Sequence, residues 1–242
     1  SVHEILEKAG ISIFEVDGYE ADDLIGTLAD QAQISKLKSQ SQNSKIKTKD
    51  IEVIIVSGDR DMLQLVNGGV KVLAPIIGIT KMILFDSEKV KEKYGINPSQ
   101  IIDYKALVGD ASDGYPGVPG IGPKTADNLL NEYETLENLY QNLEAVKQKN
   151  PNLAVKLAQG AEAAGLAKKL ATIVTDAPIN LDLEKCSVKN YNKEALRKQF
   201  EELGFKSLIK RLEETKASKV SEVSRGDEGK KKDENSGQLG LL

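Results

Sequence analysis

Gly109-Asp110-Ala111-Ser112-Asp113-Gly114-Tyr115-Pro116-Gly117-Val118-Pro119-Gly120-Ile121-Gly122-Pro123-Lys124-Thr125-Ala126 sets two carboxylates three residues apart, then a Gly/Pro hairpin, then a helix start. If the first segment makes one helical or turn-like revolution, Asp110 and Asp113 point the same way. Hard oxygen ligands of this kind suit Mg²⁺ or Mn²⁺. In the second half the glycines tolerate positive φ and a close backbone approach. Pro123 fits the first helical position. The amides of Gly122, Lys124 and Thr125 would then face outward at a helix N-terminus, which favours an anion, and Lys124 adds a mobile positive charge. This is the layout of a helix-hairpin-helix phosphate clamp. The plainer alternative is a surface loop whose aspartates cap helices; two such halves side by side argue against it.

The same acidic grammar recurs upstream. Glu20, Asp22 and Asp23 open a helix that runs to about Ala32, where their ordinary role is to complement the helix dipole. Asp59 and Asp61 follow Ile51–Val56, a β-branched run expected to be a strand buried on both faces; their ordinary role is turn formation. Seven carboxylates converging without cations would repel and titrate anomalously. Two divalent metals resolve that conflict and supply a mechanism, one activating water and the other stabilising the leaving oxygen of a phosphodiester.

Between these motifs the order is strand, helix, strand, helix. Ile11–Val16 alternates like a strand. Residues 33–50 read as a helix extension fraying into a polar insertion. A helix from Met62 to Val66 precedes paired strands at Val70–Leu73 and Lys81–Phe85. Asp86 caps a helix stopped by Gly95, and Asn97-Pro98 starts another that runs to Val108. The fold class is therefore α/β, a parallel-sheet core with acids beyond its strand ends, followed by an all-helical region. In that region Leu129, Leu130, Tyr133, Leu136, Leu139 and Tyr140 form one apolar stripe. Ala163, Leu166 and Leu170 lie within a second helical pattern over 152–174. Helices at Lys193–Leu203 and from Phe205 close the folded part, and 213–236 is expected to be disordered. The expected division is 1–109 as metal-site core, 110–212 as helix-hairpin-helix region and 213–242 as tail.

Composition excludes several classes. Forty per cent hydrophobic and 29% charged residues over 242 positions are ordinary for a globular protein. No apolar run reaches the roughly 20 residues of a membrane span. One His and one Cys leave no basis for a His triad or a His/Cys zinc site. The lone Cys186 suits a reducing cytoplasm. The net charge of −4 becomes +3 once the seven motif carboxylates are offset by metal, so the acidic balance does not exclude nucleic acid.

These motifs resemble the 5′-nuclease family (PIN/5′-nuclease-like core), most closely the 5′→3′ exonuclease domains at the N-terminus of bacterial DNA polymerase I. Gly18–Asp23, Ser57–Asp61, Asp103–Ala126 and Phe205–Leu208 carry the resemblance, which covers 1–212 apart from the insertion. It implies that Glu20, Asp22, Asp23, Asp59, Asp61, Asp110 and Asp113 hold two divalent metals, with Asp22, Asp59, Asp61 and Asp110 catalytic. It implies that Gly120, Ile121, Gly122, Lys124 and Thr125 grip duplex DNA, with K⁺ as a further cofactor at the hairpin. Family members cut 5′ flaps and nicked ends in primer removal and repair. The family pattern opens with a further strand bearing a metal-binding Asp, another acidic ligand and a basic helical arch, all upstream of what Ser1 begins. This leaves a second reading, a DNA-structure-binding module impaired in catalysis. Where the family has Asn after the second Asp, this chain has Gly114-Tyr115. A metal-dependent phosphatase is a third reading, disfavoured because small esters need no phosphate clamp. Gln238, Leu239, Leu241 and Leu242 resemble a bacterial sliding-clamp-binding peptide. The implied location is the bacterial cytoplasm, beside the nucleoid.

Overall fold

A computed structural model describes residues 2–38, 51–78, 81–188 and 191–214. The insertion beyond Lys38 and the tail, with the pentamer expected to bind a sliding clamp, lie outside the described residues. The chain forms two compact units, Phe14–Cys186 and a smaller one that joins Ser1–Ile13 to Ser187–Leu242.

In the smaller unit, helix α1 (Val2–Ala9) buries Ile5 and Ala9. The first element of the larger unit is α2 (Ala21–Lys38), which continues past Ala32 into the helix extension expected at the start of 33–50. Strand β1 (Val53–Val56) pairs in parallel with β2 (Val70–Ile77), and β2 pairs antiparallel with β3 (Lys81–Phe85). Among the described residues this mixed three-stranded sheet has the order β1-β2-β3. Two expectations change here. Ile11–Val16 forms no strand, because no described strand pairs with it. β1 is not buried on both faces. It is an edge strand, with Ile54 47% and Val56 67% exposed.

After the sheet come α3 (Ser87–Tyr94), α4 (Ile101–Val108) and the short ribbon of β4 (Gly109–Asp110) and β5 (Tyr115–Pro116). Asp86 caps α3 by accepting from the Lys89 amide, and Gly95 closes it at φ +72°. The helix expected from Asn97-Pro98 begins instead as a 3₁₀ turn, Pro98–Gln100. The helical part then runs through α5 (Pro123–Tyr133), α6 (Leu136–Gln141), α7 (Leu143–Lys149), α8 (Pro151–Gln159) and α9 (Ala161–Ala171). In the smaller unit, α10 (Lys193–Glu202) and α11 (Lys206–Glu214) follow, and the Asn192 amide donates to Ala9 of α1.

One core serves both the sheet and helices α3–α9. Phe85, Met62 and Val72 from the sheet side join Leu107, Leu130, Leu139 and Leu157 from the helices, all essentially without exposure. The stripe expected over 129–140 is buried at its leucines. The stripe expected on α9 is not: Leu166 and Leu170 are more than half exposed, and Ala164, Ala167 and Ala171 are buried instead. Alanines let α9 pack closely, so the small residues face inward and the leucines face out.

Candidate metal centre and nucleic-acid interface

Three segments carry the acids to one place. Glu20, Asp22 and Asp23 stand at the N-terminus of α2. Asp59 and Asp61 stand where the chain leaves β1 and turns into a 3₁₀ helix, Asp61–Leu65. Asp110 ends β4, and Asp113 lies in the turn between β4 and β5. A cavity of about 310 Å³ is lined by Glu20, Asp22, Asp23, Asp59, Asp61 and Asp113, with Tyr115 and Leu170–Ile173 forming the rest of its wall. Asp110 is outside that lining but joins it chemically, since carboxylate oxygens of Asp61, Asp110 and Asp113 lie within 4.8 Å of one another.

Local bonds aim these side chains. The Asp59 amide donates to Ser57 Oγ at 3.0 Å, and the Asp61 amide donates to Asp59 Oδ1 at 2.9 Å. Asp110 Oδ1 accepts from the Ser112 amide at 2.8 Å, which makes a turn of the kind aspartate favours. Of the helical and turn-like forms expected for this segment, the turn-like one is found, with Asp113 in the turn between β4 and β5. Gln64 fastens the wall: its Nε2 donates to the Ala171 carbonyl and its Oε1 accepts from the Ile173 amide. Asp23 accepts from the Glu20 amide through Oδ2 and from the Val174 amide through Oδ1. It therefore does the ordinary work of holding a helix start, with only its remaining lone pairs left for a cation.

Lys105 lies within Asp103–Ala126, and sequence reasoning assigned it no role. From the last turn of α4 its Nζ pairs with Asp61 Oδ1, donates to Asp110 Oδ2 at 2.5 Å and stands 4.0 Å from Asp113 Oδ2. Its side chain is only 12% exposed. No periodicity pointed to it, because the helix C-terminus folds back on the acids only through the turn at Gly109.

The electrostatics follow from this crowding. Burial raises the Asp22 carboxyl above its ordinary value, and Asp59, Glu20, Asp23 and Asp113 add like charge. Burial also works against the Asp110 carboxylate, but hydrogen bonds from Lys105 and Ser112 override it and hold the group down at about 2. The Tyr115 hydroxyl is pushed up to about 12, by burial first and then by Asp110, Asp113 and Asp59. That hydroxyl is buried and has no hydrogen-bond partner.

The hairpin forms as the sequence suggests, with Gly120 at φ +78° and Pro123 at the first position of α5. Gly122 and Lys124 are exposed. Two residues behave otherwise. Ile121 is 5% exposed and its amide donates to Val118, so it belongs to the core. The Thr125 amide donates to the Gly122 carbonyl at 3.0 Å and does not face outward. The Gly120 carbonyl accepts from Lys156 Nζ at 3.3 Å.

Asp103, which opens the motif containing Lys105, has a structural part. It is 4% exposed, pairs with Lys168 at 2.7 Å and accepts from the Leu136 amide at 3.1 Å.

Comparison with known proteins adds independent findings. Residues 1–95 match the family described as 5'-3' exonuclease, N-terminal resolvase-like domain, and residues 96–194 match 5'-3' exonuclease, C-terminal SAM fold. The chain is 46% identical over 213 residues to DNA polymerase I of Caldicellulosiruptor bescii, covering 87% of this chain and 23% of that protein. It is 40% identical over 227 residues to DNA polymerase I of Bacillus subtilis, covering 93% and 24%. The chain thus spans about a quarter of the length of these relatives. Among solved structures, the catalytic core of Rad2 in complex with a DNA substrate superposes with a TM-score of 0.52 at 18% identity, covering 87% of this chain and 66% of that one. At that identity the likeness speaks to the fold alone.

Proposed function

Because the chain belongs to the 5′-3′ exonuclease family, we propose that it hydrolyses DNA phosphodiesters at 5′ ends and 5′ flaps, as a nuclease of primer removal and repair. The observation that carries this reading is the meeting of carboxylates from 20–23, 59–61 and 110–113 around one cavity. The donor set is all carboxylate oxygen, which fits Mg²⁺ or Mn²⁺ and disfavours softer metals. Asp61, Asp110 and Asp113 would hold one ion; Asp22 and Asp59, flanked by Glu20 and Asp23, would hold a second. Activation of water and stabilisation of the departing oxygen are the chemistry that such a pair supplies when bound.

The chain's own residues do the rest. The Asp61 amide donates a hydrogen bond to Asp59 Oδ1, so the Asp59 carboxylate is set before substrate arrives. Leu170–Ile173 complete the wall of the cavity. The free amides of Gly122 and Lys124, with the Lys124 ammonium, would hold a backbone phosphate of duplex DNA. On this reading 1–109 is the metal-site half and 110–212 the half that grips DNA. A K⁺ ion at the hairpin would share the Gly120 carbonyl with Lys156. Residues Gln238, Leu239, Leu241 and Leu242 would tether the protein to a bacterial sliding clamp, and deletion of 237–242 should abolish that binding. The setting would be the bacterial cytoplasm, beside the nucleoid.

The test is cleavage of a 5′-flap oligonucleotide in Mg²⁺ and in Mn²⁺. Activity should vanish in EDTA and fall by roughly 10²–10³-fold in Asp61→Asn. Tight flap binding without cleavage in either metal would leave only the DNA-structure-binding module.

A further inference from the structure

The acidic site is not left uncompensated: it contains a cation of the chain's own. Lys105 Nζ contacts carboxylates from two separate segments, Asp61 on one side and Asp110 on the other, with Asp113 at 4.0 Å. All three groups of the Lys105–Asp61–Asp110 cluster are largely shielded, their side chains 12%, 11% and 16% exposed. Among the described residues, Asp61, Asp110 and Asp113 form their ion pairs with Lys105. Asp61 Oδ1 is buried and meets no hydrogen-bond donor apart from that ammonium. The three carboxylates close enough together to hold a divalent ion are therefore the three that the ammonium faces.

We propose that Lys105 is the built-in counterion of this centre, and that a divalent ion enters among Asp61, Asp110 and Asp113 only as the ammonium withdraws. The inference rests on the nuclease reading for the identity of the site. The physical reason is that the ammonium and a divalent ion would draw on the same three carboxylates and repel each other where water screens poorly, so each weakens the binding of the other. The lysine then has two consequences. Without divalent metal it holds three acids together that would otherwise push apart. With metal it competes, and so sets the concentration at which the centre fills. The β4–β5 turn, held by the Asp110–Ser112 bonds, keeps its shape through either exchange.

The test is Mn²⁺ binding to the full 242-residue chain, followed by the electron paramagnetic resonance of free Mn²⁺, for wild type, Lys105→Met and Lys105→Arg. Lys105→Met should bind its first Mn²⁺ about tenfold tighter or more, and Lys105→Arg, which keeps the charge, should stay within about threefold of wild type. A second measurement needs no variant. Lys105 in the wild-type chain should resist acetic anhydride in EDTA and become labelled as Mn²⁺ is added, read by peptide mass spectrometry. Unchanged or weaker Mn²⁺ binding by a folded Lys105→Met would overturn the inference, as would labelling of Lys105 that ignores Mn²⁺. Absence of Mn²⁺ binding by wild type and variants alike would overturn the nuclease reading with it, whereas equal binding would overturn this inference alone.

Discussion

Asp110 carries its charge far into acid, because Lys105 and Ser112 donate to it more than burial takes away. The folded group titrates at about 2, below the roughly 3.9 of an unfolded aspartate. A depressed carboxylate stabilises the fold fully above the unfolded value and loses that stabilisation as pH falls through the folded one. In EDTA, Asp110 should therefore contribute stability above about pH 4 that fades towards pH 2. Urea unfolding of wild type and Asp110→Asn across that window checks it: the variant should be less stable near neutral pH by up to roughly 2 kcal/mol, with the gap closing in acid. At this scale the sequence was legible for the gathering of acids from three segments around one cavity, because short polar residues stand at the element ends there. It was silent on Lys105, whose role depends on a turn of backbone that no side-chain pattern announces. It was also misleading on Ile121, whose apolar side chain follows the core and not the ligand.

The ribbon that carries Asp110 and Asp113 depends on two glycines crossing. A Cβ at Gly117 would stand 2.3 Å from the Gly109 amide and 2.4 Å from the Leu107 carbonyl, and Gly109 itself sits at φ +81°. Backbone against backbone leaves nothing to yield, so Gly117→Ala should cost about 3 kcal/mol or more in chemical denaturation. Gly122→Ala, with open space around its Cβ position, should cost far less. For the hairpin, Lys124→Ala should weaken duplex binding without regard to sequence and reduce the salt slope by about 1, measured by fluorescence anisotropy between low and moderate salt. Caps made elements legible: Asp86 and Gly95 bound α3 as read, and Pro123 opens α5. Where caps were absent the reading slipped. α9 was oriented by its leucines, yet close packing selects its alanines, a choice decided by the neighbouring helix and invisible in one strand of sequence.

For the whole of the larger unit, the α/β class and the helical second half were readable from element order. The state of β1 was not, since a β-branched run looks the same in a sheet centre and at an edge. Its exposed Ile54 and Val56 make an open apolar patch on one face of the strand, of the kind that promotes association. Ile54→Lys with Val56→Lys should reduce concentration-dependent self-association in sedimentation velocity, with stability changed by no more than about 1 kcal/mol.

Tyr115 offers one further consequence. The sequence has no Trp and seven Tyr, so its ultraviolet emission comes from phenol rings alone. One of those rings has its hydroxyl buried without a partner and borders the acidic cavity. Carboxylates quench phenol emission, and drawing their charge onto a cation would relieve it. The protein thus contains a label-free optical gauge: titration with Mg²⁺ should brighten it, and Tyr115→Phe should leave the spectrum indifferent to the ion.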